Sequence, residues 1–307
     1  MVRALVVGAN GFLGSHLTDE LVSRGLEVSA FDRFSSPDPA FESSGVRVIA
    51  GDFMNRADVA AALQGQQFVF HFVSTTTPVS AENDPSMDAR TNIASSIDLL
   101  ELCVEAGVQK VFFASTGGAI YGDHAGPLTE LALPQPVSPY AIGKLAIEGY
   151  LQYFSRKHGL DSVAFRISNP YGPGQRERKV QGVIPIFLRQ LQHGQPVTVF
   201  GSGSMVRDYV YVGDVVRMIA DTVDRETRHG VYNMGSGSGT SVLELLDVIA
   251  AVTGRTPEIE FAPMPATFLE RAVLDTGRFT TEFGARSLVD LHEGIDLTWR
   301  AIVEEQA

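Results

Sequence analysis

The 307-residue chain has one cysteine, Cys103. A single thiol excludes an internal disulfide and offers no ligand spacing for zinc, so Cys103, set in an apolar helical stretch, reads as a small buried residue. Positive charge is also scarce. Lys and Arg number 24 against 36 Asp and Glu, giving a formal net charge of -12, and there is no basic run. Nucleic-acid binding needs a positive patch to displace phosphate counterions, so that class is set aside; a local basic pocket for a diphosphate stays compatible with this balance. No segment approaches the roughly 20 consecutive apolar residues of a membrane span. The opening MVRALVVGANGFLG has too short an apolar run for a signal peptide and lacks a cleavage site. The expectation is a cytoplasmic protein with no membrane partner.

Apolar residues make up 44% of the chain, enough for a full core. Short apolar runs alternate with longer amphipathic stretches. Arg3–Val7, Val28–Phe31, Val46–Ile49, Phe68–Phe72, Val111–Ala114 and Ser162–Ile167 read as strands, and Ser15–Arg24, Arg56–Gln64, Ile93–Ala106 and the stretch from Tyr140 to Gly159 read as helices. Strands without a polar face, separated by helices, predict an α/β fold, a doubly wound parallel sheet of Rossmann type. Beyond residue 168 the alternation fades into helices at Ile184–Leu191 and Val242–Thr253 and short strands at Val197–Phe200 and Val210–Val212. The expected organisation is a first domain over 1–168, joined by part of 205–240, and a smaller mixed α/β lobe over 169–307.

The first strand runs straight into Gly8, Gly11 and Gly14, with Phe12 and Leu13 between the last two. Glycines there permit a tight turn and let a pyrophosphate reach backbone N–H groups at a helix N-terminus. Asp32, closing the second strand, can accept both ribose hydroxyls of an adenosine and would repel a 2′-phosphate, which favours NAD; the adjacent Arg33 pulls the other way. Asp52, after the third strand, suits an adenine edge or a cap for the Arg56 helix. Tyr140 and Lys144, four apart on one helix, share a face. Bringing a phenol from a pKa near 10 to neutrality needs about 4 kcal/mol of anion stabilisation. A nearby ammonium contributes to that and makes the phenolate a general base for a sugar hydroxyl.

In company with ASTGGAIYG (114–122), SPYAIGK (138–144), RISNPYGPGQ (166–175), RDYVYVGDV (207–215) and YNMGSG (232–237), these motifs resemble the extended short-chain dehydrogenase/reductase family, and within it the NAD-dependent nucleotide-sugar epimerases similar to UDP-glucose 4-epimerase. The resemblance covers nearly the whole chain. It implies that Lys144 also binds the nicotinamide ribose and that Asn92, Phe53, Phe72, Val73 and Ser74 line the cofactor. It further implies that Asn169 and Val183 meet the substrate, and that Arg207 and Arg271 neutralise the two phosphates of a nucleotide sugar. Two guanidiniums give fork-shaped, permanently charged recognition of a diphosphate. The plain alternative for Arg207 is a salt bridge to Asp208 or Asp214.

Four features bear on where the chain stands within that family. Gly117 stands where many relatives carry a hydroxyl, leaving Thr116, Ser115 or a water for that role. Gly118 and Ala119 stand where sugar dehydratases carry an Asp-Glu pair, so water elimination lacks its acid and base. The loop after His71, Thr75 to Thr77, either lines a sugar pocket through Thr76 and its neighbours or makes no contact, while His71 itself reads as packed. Arg176 is placed to meet a sugar carboxylate, as in UDP-glucuronic acid 4-epimerases, or belongs to an ordinary solvated loop. The leading expectation is carbon-4 epimerisation of a UDP-sugar through a transient 4-keto intermediate; a ketoreductase, an atypical dehydratase and an NAD-binding sensor module are the alternatives. A homodimer is expected, with Leu99, Leu100, Tyr150, Tyr153 and Phe154 pairing across a twofold.

Overall fold

The computed structural model describes residues 2–36, 38–124, 126–175, 182–264 and 269–305. Arg176 lies outside the described residues. The chain forms two compact units, Met1–Thr116 with Pro136–Arg166 and Val216–Tyr232, and Gly117–Gln135 with Ile167–Val215 and Asn233–Ala307. The segment 117–135, expected within the first domain, thus goes with the second unit. Among the described residues no helix is long and apolar enough to cross a membrane.

The first unit is built on strands β1 (Arg3–Val7), β2 (Glu27–Asp32), β3 (Arg47–Ala50), β4 (Phe68–His71), β5 (Lys110–Thr116) and β6 (Asp161–Ile167). With the strand Val231–Met234 they form a seven-stranded sheet, ordered from that strand through β6, β5, β4, β1 and β2 to β3. The pairs β1–β2, β2–β3, β1–β4 and β4–β5 are parallel. The order reverses at β1, which places a topological switch point between β1 and β4, where open α/β sheets bind ligands beyond the strands' carboxyl ends. In β1, Ala4, Leu5, Val6 and Val7 are all fully buried. That is why this strand has no polar alternation and lies inside the sheet, with neighbours on both sides.

The helices of this unit are α1 (Phe12–Ser23), α2 (Arg56–Ala62), α3 (Pro78–Asn83), α4 (Pro85–Asp88), α5 (Ala94–Glu105) and α6 (Pro139–His158), with a π-helical turn at Ala89–Ile93 between α4 and α5. Each boundary has a local cause. Ser138 caps α6 by accepting from the Ala141 N–H, Pro139 occupies the first turn, and Gly159 closes the helix at φ 70°, a left-handed conformation that costs glycine little. Asn55 caps α2 by accepting from the Ala57 N–H. The cap reading of Asp52 is therefore corrected: its carboxylate accepts from the Met54 N–H instead. The three threonines also acquire definite roles, since Thr77 opens α3 in a reciprocal capping box with Ser80. The dimer reading loses part of its apolar set, because Leu99, Leu100 and Phe154 are buried in the core of this unit; Tyr150 and Tyr153 stay exposed.

The second unit joins short sheets to three longer helices, Val183–Gln192, Val242–Thr253 and Leu291–Glu304. Asn169–Tyr171 pairs with Tyr209–Tyr211, and Val197–Phe200 with Ile259–Ala262, both in parallel. Thr240–Ser241 and Arg271–Ala272 flank Val206–Arg207. Phe187, Leu188, Val197, Leu245, Ile249 and Ile295 are among the residues of its core.

Candidate active site

The glycine turn lies where β1 meets α1. Gly8 has φ 92°, and a Cβ on it would stand 2.6 Å from the Val73 backbone nitrogen. A Cβ on Gly14 would overlap the Gly8 carbonyl oxygen. These positions need glycine because backbone, not side chain, fills the neighbouring space. Gly11 starts α1 with no side-chain cap and no acidic residue in the first turn, so no side chain competes with an anion for the first N–H groups and the positive helix end. Phe12 and Leu13, the first residues of the helix, are half-buried. Asp32 stands beside the turn, one oxygen accepting the Asn10 N–H at 3.1 Å and the other the Arg33 N–H at 2.7 Å. Arg33 itself is exposed. This glycine cradle, bare helix end and acid fit the diphosphate and ribose of NAD.

The carboxyl ends of β4 and β5 add the next layer. Phe72 donates its N–H to the Val7 carbonyl, and Ser74 bonds the Thr76 carbonyl. Phe53, beside Asp52, is buried with its ring 5.2 Å from His71. His71 packs as expected, its Nε2 2.7 Å from the Ser96 hydroxyl. Burial and the nearby Lys144 charge push it down to about 3, so it is a neutral imidazole.

Tyr140 lies in the first turn of α6 and Lys144 one turn on. The Lys144 ammonium is buried, donates to the Ala114 carbonyl at 2.8 Å, and stands 5.8 Å from the Tyr140 ring centroid. Burial brings it down to about 8, against the raising pull of Asp88 and Glu148. Burial, and then the negative charge of Asp88, pushes the Tyr140 phenol up to about 12. The protein's own groups therefore hold the phenol protonated. Ser115 is buried and engaged: its hydroxyl donates to Glu148 at 2.5 Å, while Glu148 forms a two-pronged pair with Arg166 at 3.1 and 2.8 Å. That commitment turns Ser115 toward the protein interior and leaves Thr116, half-buried at the end of β5, as the available hydroxyl.

Two acids here escaped the sequence reading. Glu148 follows Lys144 by four residues and so shares its helical face; that spacing was a usable signal. Asp88 had none. It accepts from the Thr76 hydroxyl and from Asn92 Nδ2, the latter at 2.8 Å, and the Asn92 carbonyl accepts the Thr75 N–H at 2.9 Å. The π-helical turn Ala89–Ile93, which follows Asp88 and contains Asn92, sets this geometry, and such turns are invisible to periodicity.

In the second unit, Gly117 donates its N–H to the Ile167 carbonyl at 2.7 Å. Asn169 Nδ2 donates to the Asp208 carbonyl at 3.1 Å. Arg207 and Arg271 stand on paired strands one register step apart. Arg207 donates to the Val206 and Leu269 carbonyls, and the Asp208 carboxylate accepts from Ser236, Gly237 and Leu274. The alternative of an Arg207–Asp208 bridge is thereby corrected. Arg271 is exposed and lines a hollow of about 350 Å³ with Ser202, Ser204, Met205 and Glu270 among others. Val183 opens its helix, half-buried. Among the described residues no cluster of metal-binding side chains occurs.

Residues 4–235 match the model of the NAD dependent epimerase/dehydratase family. The chain belongs to that family. It is 35% identical to a UDP-glucose 4-epimerase of Mycolicibacterium smegmatis over 97% of both chains. Its fold superimposes on a Thermotoga maritima UDP-glucose 4-epimerase solved with UDP-glucose, with TM-score 0.94 and 34% identity across all of both chains. It also superimposes on a Thermus thermophilus UDP-glucose 4-epimerase solved with NAD, with TM-score 0.92 and 36% identity over 98% of this chain and 99% of the other. The fold and cofactor expectations are thus met.

Proposed function

We propose that the chain is a UDP-sugar 4-epimerase that keeps NAD bound throughout turnover, with UDP-glucose and its carbon-4 epimer as the substrate pair. The observation that carries this reading is the buried Lys144 ammonium beside Tyr140, at the carboxyl ends of β4 and β5 and in the same unit as the glycine cradle. NAD, when bound, supplies a hydride acceptor and the positive charge of the nicotinamide. Tyr140 takes the proton of the carbon-4 hydroxyl and returns it, Lys144 favours the phenolate by its charge, and Thr116 orients the reacting oxygen. Gly8, Gly11, Gly14, Asp32 and Asn92 hold the dinucleotide. Asn169, Arg207 and Arg271 hold the nucleotide diphosphate, which assigns the two units to cofactor and substrate respectively. The absence of an acid pair at Gly118 and Ala119 favours epimerisation over dehydration. A homodimer through exposed Tyr150 and Tyr153 and a cytoplasmic location belong to the same reading.

Incubation with UDP-glucose in the absence of added nicotinamide, followed by proton NMR, tests it. The carbon-4 epimer is expected to accumulate to an equilibrium reached from both sides. No epimer from either direction would sink the proposal.

A further inference from the structure

Asp88 is 3% exposed and sits at the end of α4, immediately before the π-helical turn. Its Oδ1 accepts from Asn92 and from the Thr76 hydroxyl, and Asn92 Nδ2 reaches Thr76 Oγ1 as well, at 2.8 Å. Its Oδ2 faces α6: a Cβ built on Gly143 would overlap it. Gly143 precedes Lys144 and follows Tyr140 by three residues, so the carboxylate is seated on the single turn of helix that carries both. A buried acid held by two interlocked side chains, with a glycine kept open beneath it, is more than a helix cap requires.

We propose that Asp88 is a positioning residue of the active centre, whose carboxylate docks the π-helical turn on α6 and sets the pH at which Tyr140 exchanges its proton. The inference rests on the reading of Tyr140 as the base. Burial pushes the Tyr140 phenol up and the Lys144 ammonium down; the Asp88 charge adds to the first shift and opposes the second. Among the described residues, other charged groups lie on the elements around the pair. On α6 there is Glu148, which is bound to Arg166 of β6; from β4 comes the neutral His71; Glu82 of α3 is exposed; and Asp84 faces Arg90 at 3.9 Å. Asp88 is the buried charge seated on the Tyr140 turn.

The test compares wild type, Asp88→Asn and Asp88→Glu as NAD-loaded proteins, with two readouts. One is the pH profile of kcat and of KM for UDP-glucose. The other is the near-ultraviolet phenolate absorbance of Tyr140, taken as the difference from a Tyr140→Phe partner of each variant. Removing the negative charge makes the phenolate easier to form, so in Asp88→Asn the acid limb and the phenolate signal both move down by about one pH unit, while KM changes less than about twofold. Asp88→Glu restores the charge and brings the limb back. If Asp88→Asn does not fold, Asp88→Ser, also uncharged, carries the same expectation. A folded, NAD-loaded uncharged variant whose limb and phenolate signal stay at the wild-type pH overturns the proposal. Full activity in Tyr140→Phe would instead remove the reading of Tyr140 on which it rests.

Discussion

Behind the Tyr140–Lys144 pair lie side chains almost wholly removed from solvent: His71 at 2%, Glu148 at 3% and Arg166 at 4% exposure. Each has a separate consequence. Tyr140→Phe removes the proposed base and is expected to lower kcat by roughly 10²–10⁴-fold with NAD still bound, measured by steady-state assay and by cofactor released on denaturation. The Glu148–Arg166 pair sits in low dielectric, where losing one partner strands a charge. Glu148→Gln is expected to destabilise by about 3–5 kcal/mol in urea unfolding, and replacement of both by apolar residues of similar volume to recover part of it. His71 behaves differently because burial keeps it neutral, at about 3. The unfolded chain takes up a proton near pH 6.5 that the folded chain refuses, so stability falls as pH drops from there toward 3, by up to about 1.4 kcal/mol per pH unit. Unfolding midpoints of wild type and His71→Asn across that range check this; the variant's midpoint loses this part of the acid dependence. Residues read by type and spacing, such as Tyr140, Lys144 and Asp32, were legible in the sequence. Asp88 was not, because what makes it notable is the space above Gly143, and a linear pattern records no space.

At the scale of elements, legibility followed the strength of the local signal. The strand Arg3–Val7 and the helix Val242–Thr253 coincide with their sequence readings, since an all-apolar run beside a glycine turn and a Ser-Glu capping box each state their boundary. The helix expected from Ile93 instead begins at Ala94 behind a π-helical turn, a change of hydrogen-bond step that leaves no periodic trace. Val212, expected to end a strand, opens the helix Val212–Ala220. Helix α6 offers a direct test of packing against propensity. In an open helix Gly→Ala gains about 1 kcal/mol; at Gly143 the added methyl meets Asp88 Oδ2, so Gly143→Ala is expected to be destabilising in thermal unfolding. At the β1–α1 turn, Gly14→Ala drives its Cβ onto the Gly8 carbonyl, and the purified variant is expected to carry little or no NAD.

For the whole molecule, two compact units divide the expected labour of holding a dinucleotide and holding a nucleotide sugar. The acidic balance of -12 coexists with Arg207 and Arg271 on adjoining strands, so the net charge conceals the pair proposed to hold a diphosphate. Composition described the surface, and motif order pointed to the proposed site. The division of the chain was less legible, since residues 117–135 leave the first unit in space while remaining within its stretch of sequence. The central claim is that carbon 4 is oxidised and reduced within one turnover by a cofactor that never leaves. UDP-glucose carrying deuterium on carbon 4, incubated in ordinary water without added nicotinamide, tests it most directly. The account predicts a carbon-4 epimer that retains the deuterium on that carbon. An epimer that has lost the label to solvent, or no epimer at all, would contradict it.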